Sequence, residues 1–591
     1  MFSYIFMKIL ESRPSRYDWG INILTLGHAK RVKKEIVDNY VRAGMKVLDI
    51  GCGTGELMEY AALRGAYVTG IDISEGMLSI AQKRFEDVGL CAKAAFNHAG
   101  ITDLDRLFED RSFDLVTSTL VFSELYPDER QWAYTEINRL LKDSGTLILA
   151  GEVKPQGLFK RFIHFLIRLP LAAATYLIAQ TGTRAVSDMA GEISLSGFEV
   201  QGEQRTLLGS FSVVWARKKS SAGTAEHPTI SAFSSKRDWS IAKTFWDYIG
   251  RWFPSPVEPG LRQIGAPDKN APVFITCNFH LTVRRVEKAL SGMHAWLLIA
   301  PSNGINVWCA ACGGELTTQS VSGAVKITGI AGKVSHRRLV LPQFSAPGID
   351  IRQLKQETGF NSVFGPAYAK DIPKFLEMHG KKTSDMCLAK YPLSFRLEML
   401  LSMNVLIWTF IAAFTLMINP GSLFVFSLLF WGAGIVLYAG YPWIPGNSGW
   451  LKGLGLSILI ILGTGTGTIL SGHGDWHTHW GWMFASVIIC FWLGFDLRGI
   501  VEGSASEATG LLEKLGIHSI GKFYSSRSKT KGILNHDTVL CIGCQTCMGV
   551  CPKGVFDLDK REKRVFAARP EACFTCGACG YQCPEHALKI S

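Results

Sequence analysis

The chain has 591 residues, too many for one hydrophobic core, so we expect three to five domains. Its net charge of +12 comes from scattered basic residues that often flank apolar runs. This pattern favours a membrane protein and, without any nucleic-acid-binding motif, excludes nucleic acid as the expected partner. Eight of the 15 cysteines lie between Cys541 and Cys583, which indicates metal clusters in a reducing compartment and not a disulfide framework. The N-terminal stretch lacks a cleavage-like site, so no signal peptide is expected.

The first predicted domain, residues 1–220, alternates apolar runs with helical stretches. Four of the runs are predicted strands: MKVLDIG, AYVTGIDIS, FDLVTSTLVF and GTLILAGEV. The alternation is typical of an α/β fold, a mostly parallel sheet wrapped by helices. Residues 158–180 are apolar but carry several charges and a proline. We interpret them as an interfacial or lid segment, with a plain buried helix as the alternative.

A glycine-rich loop follows the first predicted strand in VLDIGCGTGE, residues 47–56. Gly51, Gly53 and Gly55 allow the backbone to approach a ligand closely, although dinucleotide-binding proteins have similar loops. Asp49 lies on the strand before the loop. Asp72 ends the next strand, where a carboxylate can accept hydrogen bonds from two ribose hydroxyls.

These motifs closely resemble those of the class I S-adenosylmethionine-dependent methyltransferases, and the resemblance covers the first domain. It implies a Rossmann-like fold in which the three glycines line the methionine part of S-adenosyl-L-methionine, Asp72 holds its ribose and Asp49 belongs to the cofactor-binding set. The acidic contact to adenine that this family often has near residues 97–103 stays open, because the chain has FNHAGITD there. No acid–base residue stands out, which suits methyl transfer to a soft nucleophile that needs no deprotonation.

A Ser-, Pro- and charge-rich linker is predicted at 221–270, followed by a second α/β domain at 271–396. Its predicted strands are PVFITCNF, AWLLIA, AVKITGI and RRLVLP. Within it, GINVWCAACGGELT places Cys309 three residues before Cys312. These residues alone leave three roles open for Cys309, which are redox dithiol, metal ligand and buried packing residue.

Four stretches of the second domain resemble, in order, the corrinoid protein of microbial mercury methylation: PVFITCNFHLT, AWLLIAPSNGINVWCAA, VSHRRLVLPQFSAPGIDI and GPAYAKDI. In that family the Asn-Val-Trp-Cys-Ala-Ala stretch is a helix that caps a cobalamin-type corrinoid, and its cysteine coordinates cobalt. The resemblance therefore implies that Cys309 is the axial cobalt ligand and the catalytic residue. It also implies that five neighbours pack near the ring: Asn306, Val307, Trp308, Ala310 and Ala311.

The chain departs from that family after the two alanines, where Cys312 and Gly313 replace the usual Gly-Lys. This departure leaves the methyl acceptor open, with mercury, another metal or metalloid, and a small thiol as candidates. Cys312 is either a second soft ligand near the arriving substrate or a small apolar residue. Five scattered cysteines are predicted to be packing residues: Cys52, Cys91, Cys277, Cys387 and Cys490.

Residues 397–498 contain four predicted transmembrane helices: 399–418, 421–441, 453–471 and 480–495. Aromatic residues lie at their ends, and basic residues cluster before the first and after the last. We therefore predict a multi-pass protein of the cytoplasmic membrane whose N- and C-terminal domains face the cytoplasm. Three loop histidines are interpreted as interfacial, with a metal site as the alternative: His473, His477 and His479.

After a second predicted linker at 499–535, residues 536–591 contain the pattern C-x2-C-x2-C-x3-C-P twice. Thiolates at this spacing suit [4Fe–4S] centres better than zinc. The repeat resembles bacterial two-cluster ferredoxins, which have an α+β fold and in which the fourth cysteine of each repeat binds the other cluster. The first predicted set is Cys541, Cys544, Cys547 and Cys583, and the second is Cys573, Cys576, Cys579 and Cys551.

We therefore expect a membrane-bound, multidomain methyltransferase. S-adenosylmethionine would supply methyl, cobalt above Cys309 would carry it to an unidentified small-molecule or metal acceptor, and the ferredoxin domain, fed by an electron donor, would reduce the cobalt. S-adenosylmethionine either charges the corrinoid or serves the final acceptor separately. Two alternatives are a membrane electron-transfer protein with a Cys309/Cys312 dithiol, and an assembly or scaffold protein with a vestigial methyltransferase domain.

Overall fold

The structure is a computed structural model that describes residues 27–157, 185–219, 241–249, 251, 254–444, 449–471, 476–501, 534–573 and 575–590. The predicted lid segment 158–180 lies outside the described residues, as do His473 and the side chains of His477 and His479. The interpretations of those residues therefore stay predictions.

The first domain is built on a seven-stranded sheet with the order β3-β2-β1-β4-β5-β7-β6. Strand β7 runs in the opposite direction to the other six strands. Its strands are β1 Lys46–Ile50, β2 Tyr67–Asp72, β3 Ala94–His98, β4 Phe113–Thr119, β5 Leu141–Glu152, β6 Phe198–Thr206 and β7 Phe211–Lys218. Its helices are α1 His28–Tyr40, α2 Glu56–Leu63, α3 Glu75–Asp87, α4 Leu104–Leu107, α5 Pro127–Leu140 and α6 Met189–Leu195. Buried apolar residues fill both faces of the sheet, as expected for parallel strands covered by helices.

The Rossmann-like fold predicted for this domain is confirmed, and all four predicted strands are present. Three further strands, β3, β6 and β7, were not predicted, although β7 contains the apolar and mostly buried run FSVVWA. The residues of β3 are only partly buried, and β6 alternates polar and apolar residues at the sheet edge. Short or half-exposed strands lack the continuous apolar run that marks a buried strand.

The second domain has a five-stranded sheet with the order β12-β11-β9-β10-β8, in which β8 is the only antiparallel strand. Its strands are β8 Gly260–Ile264, β9 Val273–Cys277, β10 Ala295–Ala300, β11 Arg338–Leu341 and β12 Asn361–Phe364. Its helices are α7 Ile241–Ile249, α8 His280–Ala289, α9 Val307–Gly313, α10 Thr318–Thr328, α11 Ile330–Lys333, α12 Ile351–Thr358, α13 Ile372–Glu377 and α14 Ser384–Cys387.

One strand prediction in this domain is wrong, because AVKITGI, residues 324–330, is helical and lies in α10 and α11. Val321, Val325 and Thr328 are buried at helical spacing, and the side chain of Thr317 caps the start of α10. The β-branched residues that favoured a strand are here the buried face of a helix. The structure also places α7 and β8 within the predicted linker 221–270.

Four apolar helices follow: α15 Leu393–Ile418, α16 Leu423–Gly440, α17 Gly449–Ser471 and α18 Trp476–Val501. Among the described residues, two segments are long and apolar enough to cross a membrane, Leu393–Ile418 and Pro420–Gly440. The apolar parts of the other two helices, Gly449–Gly465 and Trp480–Asp496, are shorter. The four predicted spans are therefore supported by two candidates, and only by length and composition.

Polar side chains tie three of these helices together. Asn404 on α15 donates to the Asp496 carboxylate of α18 at 3.0 Å, and the Tyr438 hydroxyl of α16 donates to the same carboxylate. Arg396 on α15 donates to the backbone carbonyl of Tyr438 at 2.9 Å. Buried polar groups normally have partners, and these contacts set the packing of the helices directly after the second domain.

The C-terminal domain has two antiparallel sheets of two strands each. One pairs β13 Leu534–His536 with β16 Leu588–Ile590, and the other pairs β14 Phe556–Asp559 with β15 Arg564–Ala567. Its helices are α19 Thr546–Val550 and α20 Ala578–Gln582. Val550 and Ala578 are buried in the core of the second domain. The C-terminal domain is therefore docked on the second domain.

Candidate functional site

The glycine loop between β1 and α2 needs glycine for two reasons. Gly51, Gly53 and Gly55 all have positive φ, at 70°, 55° and 76°. A Cβ on Gly51 would lie 2.1 Å from a methyl of Val121, and one on Gly55 would lie 2.9 Å from Ala81. The loop therefore presents bare backbone over the carboxyl end of the sheet, where ligands bind in folds of this kind.

Two predicted acids flank the loop, and both are already hydrogen bonded. The backbone N–H groups of Gly53 and Ser74 donate to the Asp72 carboxylate at 2.9 Å each. Asp49 is buried between β1 and β4, where the Thr117 hydroxyl donates to it at 2.8 Å. Burial raises the pKa of Asp49 to about 7. Asp72 thus shapes the loop at the ligand face, and Asp49 supports the loop from below.

A third carboxylate near the loop, Glu124, was missed by the sequence reasoning. Its side chain is exposed, yet burial by the surrounding protein raises its pKa to about 7, with Asp72 and Glu152 contributing through charge repulsion. Asp72 and Glu124 thus place two carboxylates on the ligand side of the loop, which we call the glycine-loop cleft, and this charge favours a cationic ligand. Glu124 lies in an irregular stretch after β4, where no motif marks it.

Cys309 lies on α9, a seven-residue helix whose first turn is capped by Asn306. The Asn306 side-chain oxygen accepts a hydrogen bond from the Cys309 backbone N–H at 3.0 Å. Cys309 is exposed, and Trp308 and Cys312 are partly exposed. Cys309 and Cys312 are three residues apart and therefore share one face of the helix.

The opposite face of α9 packs on the core of the second domain. Val307, Ala310 and Ala311 are buried there, and a Cβ on Gly348 would lie 2.8 Å from the Ala311 carbonyl oxygen. Small residues let α9 lie close to the chain beneath it. The contacts of these three residues with a corrinoid ring stay predictions. In the structure, the three side chains attach α9 to the core of the second domain.

Aromatic side chains surround the exposed face of α9. The rings of Trp308 and Phe344 are 5.7 Å apart, and those of Phe344 and Tyr368 are 6.5 Å apart. Burial raises the pKa of Tyr391 to about 12, with smaller contributions from the nearby Tyr368 and Cys309. Burial also raises the pKa of the Cys309 thiol. Redox-active dithiols show the opposite pKa shift. We call the surface between Cys309 and these aromatic rings the Cys309 cleft.

A buried asparagine joins the approach to α9 with the first domain. The Asn278 side-chain oxygen accepts from the backbone N–H groups of Ser302 and Gly304 at 2.9 Å each. Its side-chain nitrogen donates to the Val257 carbonyl at 3.0 Å and to the Tyr126 hydroxyl of the first domain. Tyr126 is two residues from Glu124, so a short path of contacts links the glycine-loop cleft with the Cys309 helix.

A second contact between the two domains lies on α10. The Lys326 ammonium group donates to the Asp105 carboxylate at 3.0 Å and to the Thr102 carbonyl at 3.1 Å. The same helix approaches Thr102 so closely that a Cβ on Gly323 would lie 2.9 Å from its methyl group. The two domains are therefore packed against each other through backbone and charged contacts.

The neighbours of the eight C-terminal cysteines are compatible with the two predicted sets, which stay a prediction. Burial, followed by the nearby thiols of Cys544, Cys541 and Cys583, raises the pKa of Cys547 to about 12. Burial likewise raises the pKa of Cys579 to about 12, with Cys551 and Cys573 as the next contributors. Clusters bind deprotonated thiols, so loading would displace these protons.

The surroundings of both sets fit iron–sulfur clusters. A cavity is lined by the four cysteines of the first set: Cys541, Cys544, Cys547 and Cys583. Backbone N–H groups of Ala587 and Val555 donate to the sulfurs of Cys583 and Cys551, as is common where hydrogen bonds tune a cluster. No three ligating side chains among the described residues converge on a single ion. Four cysteines of a [4Fe–4S] cluster bind four different irons and surround a volume, so they need not converge.

The second cysteine set lies against α9. Cys576 packs on the core of the second domain, and its pKa is raised well above the usual value by burial, with Cys579 and Cys312 among its neighbours. Gln582 donates from its side chain to the carbonyls of Ala346 and Ile349, at 2.8 and 2.6 Å. The face of α9 that carries Cys312 is therefore close to a cysteine of the second set.

Comparison with known proteins divides the chain in the same way. The family "Methyltransferase domain" matches residues 47–145. Demethylmenaquinone methyltransferase from Paenarthrobacter aurescens is 34% identical over 180 residues, which cover 28% of this chain and 67% of that protein. The first domain belongs to the methyltransferases. A solved S-adenosylmethionine-dependent methyltransferase from Methanosarcina mazei is 24% identical, with coverage of 31% of this chain and 97% of that one and a TM-score of 0.26.

Two further segments of this methyltransferase match other families. The family "CO dehydrogenase/acetyl-CoA synthase delta subunit" matches residues 248–376, and the family "4Fe-4S dicluster domain" matches residues 540–588. Gamma subunits of the acetyl-CoA decarbonylase/synthase complex are 29% identical over 283 residues in Methanopyrus kandleri and 39% identical over 140 residues in Archaeoglobus fulgidus. These matches cover 43% and 23% of this chain, and 60% and 29% of the two relatives. The narrower resemblance to the mercury-methylation protein stays a prediction.

Proposed function

We propose that this chain moves a methyl group from S-adenosylmethionine, by way of a corrinoid held over Cys309, to a soft acceptor. One observation carries the proposal, namely that the segment 302–312 is contacted from both sides. Asn278 and Tyr126 link it to the methyltransferase domain, and Cys576 approaches it from the iron–sulfur domain. A bound corrinoid would supply a cobalt centre that accepts and passes on methyl groups after reduction.

The side chains around the two clefts have distinct roles in this proposal. The glycine loop and Asp72 hold S-adenosylmethionine, and Glu124 attracts its positive sulfonium. Asn306 fixes the first turn of α9, and the exposed Cys309 thiol would be the residue that holds the cobalt of a bound corrinoid. Trp308 and its aromatic neighbours line the cleft and exclude water from it.

The iron–sulfur domain and the apolar helices complete the proposal. The two cysteine sets would hold [4Fe–4S] clusters, which would supply single low-potential electrons for the reduction of a bound corrinoid. Helices α15 and α16 anchor the chain at the cytoplasmic membrane, with all soluble domains on the cytoplasmic side, and α17 and α18 are further candidate spans. The acceptor is a metal, a metalloid or a small thiol, for which Cys312 offers a second soft contact beside Cys309.

Cobalamin binding tests this proposal directly. Anaerobically purified protein is reconstituted with cobalamin, and its cobalt content and visible spectrum are compared with those of Cys309→Ala. Cys91→Ala is the matched control, because Cys91 is an exposed cysteine of the methyltransferase domain. The expected result is one cobalt per chain with a spectrum that changes only in Cys309→Ala. Wild-type protein that carries iron and sulfide but retains no cobalt would overturn the corrinoid proposal.

A second candidate function is electron transfer through a Cys309/Cys312 dithiol, and one observation favours it. The two cysteines share one face of α9, and Cys312 is among the neighbours of Cys576 in the second set. In that case, reduction of the clusters would open a Cys309–Cys312 disulfide in the absence of cobalt. Thiol labelling of oxidised and reduced protein, followed by mass spectrometry, distinguishes the two candidates.

A further inference from the structure

Three large apolar side chains are exposed around the first cysteine set. Val539, Leu540 and Ile542 are 79%, 48% and 63% exposed, and Leu540 and Ile542 line the same cavity as Cys541 and Cys544. Exposed apolar groups scattered singly are ordinary, but a contiguous group marks an interaction surface. We call residues 539, 540 and 542 the apolar rim.

A basic turn lies directly beside the apolar rim. The segment that joins β14 to β15, residues 559–564, contains four basic residues: Lys560, Arg561, Lys563 and Arg564. Its two acidic residues are Asp559 and Glu562. Gly543 touches this turn so closely that a Cβ there would overlap the Lys563 carbonyl oxygen at 1.9 Å. The Asp559 carboxylate accepts from the backbone N–H groups of Arg561 and Glu562, which fixes the turn. The basic turn (560–564) therefore presents net positive charge next to the first cysteine set.

The second cysteine set faces the opposite way, toward the interior of the protein. Gln582 and Lys382 connect this side of the iron–sulfur domain to the second domain, with Lys382 donating to the Gly549 carbonyl at 2.6 Å. Cys576 of this set packs on the core of the second domain, to which Val307 and Ala310 of α9 belong. Two sets with the same sequence pattern thus have different surroundings: Cys544 of the first set is exposed, whereas the four cysteines of the second set are buried or partly buried.

We propose that the apolar rim and the basic turn form the docking surface for a soluble, acidic one-electron carrier protein, which delivers electrons to the first cluster. The electron then passes to the second cluster and on toward α9. Each step moves one electron, so the carrier is oxidised as the cluster is reduced, and no bond or proton changes place. Only the final destination of the electron rests on the proposed function.

The chemistry of the surface favours such a carrier. An apolar centre with a charged edge is the usual composition of a protein interface, and a positive edge attracts an acidic partner and speeds its arrival. The surface also surrounds the cluster that is open to solvent, which places a docked carrier next to the group that it reduces. A membrane surface is the competing partner of this composition, and the test below includes it.

The test measures the anaerobic reduction of the full chain, reconstituted with iron and sulfide and held in lipid nanodiscs. A reduced, acidic flavodoxin is the probe, and its one-electron oxidation by this chain is followed by stopped flow through the flavin semiquinone absorbance, which iron–sulfur clusters do not share. The variant is Lys560→Glu/Lys563→Glu. The control is Lys83→Glu, an exposed lysine on α3 of the methyltransferase domain. Dithionite, a small reductant, reports whether the clusters remain intact.

We expect the second-order rate constant to fall at least about tenfold in the double variant, and to fall with rising salt in the wild type, because steering by charge is screened. Lys83→Glu and all reactions with dithionite should be unchanged. An unchanged rate in the double variant, or a wild-type rate that follows the anionic lipid content of the nanodisc instead of the charge of the carrier, would overturn the proposal. The readout involves no cobalt, so failure of the corrinoid proposal would be seen separately.

Discussion

The glycine-loop cleft and the Cys309 cleft are built in opposite ways. In the first, the backbone makes the site, since three positive φ angles and the missing Cβ atoms shape the ligand surface. In the second, the backbone is an ordinary short helix, and the chemistry depends on which face each side chain occupies. A site made by backbone can be predicted from residue types, whereas a site made by a helix face depends on packing.

Removing the bare backbone at Gly51 should have the largest effect. Gly51→Ala places a Cβ 2.1 Å from Val121 and forces a left-handed conformation that costs an L-residue about 1–2 kcal/mol. We expect the affinity for S-adenosylhomocysteine to fall at least about a hundredfold by calorimetry, from strain and clash together.

Gly89→Ala is the matched control for this change. Gly89 also has positive φ, but a Cβ there would meet nothing within 4 Å. Its backbone cost should appear as a lower melting temperature with unchanged ligand affinity. Equal losses of affinity in both variants would mean that the loop is not a ligand site.

Loss of the Asn278 side chain should have the next largest effect, and this effect is on the free energy of unfolding. Asn278→Ala leaves the buried N–H groups of Ser302 and Gly304 without an acceptor, at a cost of about 1–3 kcal/mol for each unsatisfied group. Tyr126→Phe removes the hydrogen bond between Asn278 and the Tyr126 hydroxyl, leaves the Lys326–Asp105 contact between the domains in place, and should cost about 1 kcal/mol.

Denaturant unfolding with hydrogen exchange measures both effects. Faster exchange at residues 302–306 in both variants would support a link between the two clefts. Unchanged exchange there in Tyr126→Phe would mean that the first domain does not hold this loop.

The two clefts also differ in how far the sequence predicted them. Gly51, Gly53, Gly55 and Asp72 carry their own signal, because only glycine tolerates that backbone and the acid ends a strand. Glu124 and Asn278 carry none, since their roles arise from distant segments that meet in the fold. The same reason explains the wrong strand at 324–330, where tertiary burial decides between a helix and a strand.

A smaller effect is expected at Glu124, and it depends on pH. Its pKa of about 7 lies above the ordinary value, so the carboxyl group is neutral below pH 7 and becomes an anion above it. Affinity for the cationic S-adenosylmethionine should therefore rise about threefold from pH 6 to pH 8. Glu124→Gln should reduce this rise, leaving only the part that comes from Asp49, whose pKa is also about 7. Glu109→Gln, at an exposed position between α4 and β4, should retain the whole rise, and an undiminished rise in Glu124→Gln would assign it to another group.

The smallest effect is expected at Cys312, which shares the exposed face of α9 with Cys309. Cys312→Ala should leave the visible spectrum of bound cobalamin unchanged, because only Cys309 is proposed to be its ligand. A spectrum altered equally by Cys312→Ala and Cys309→Ala would mean that both cysteines take part in binding the cobalt.

Transfer of a labelled methyl group tests the central claim most directly. Reduced protein is mixed with methyl-labelled S-adenosylmethionine in a single turnover, without added acceptor, and the label retained by the protein is counted. The account predicts retention that requires cobalamin and is lost in both Gly51→Ala and Cys309→Ala. Label that is retained equally without cobalamin, or equally in Cys309→Ala, would contradict it.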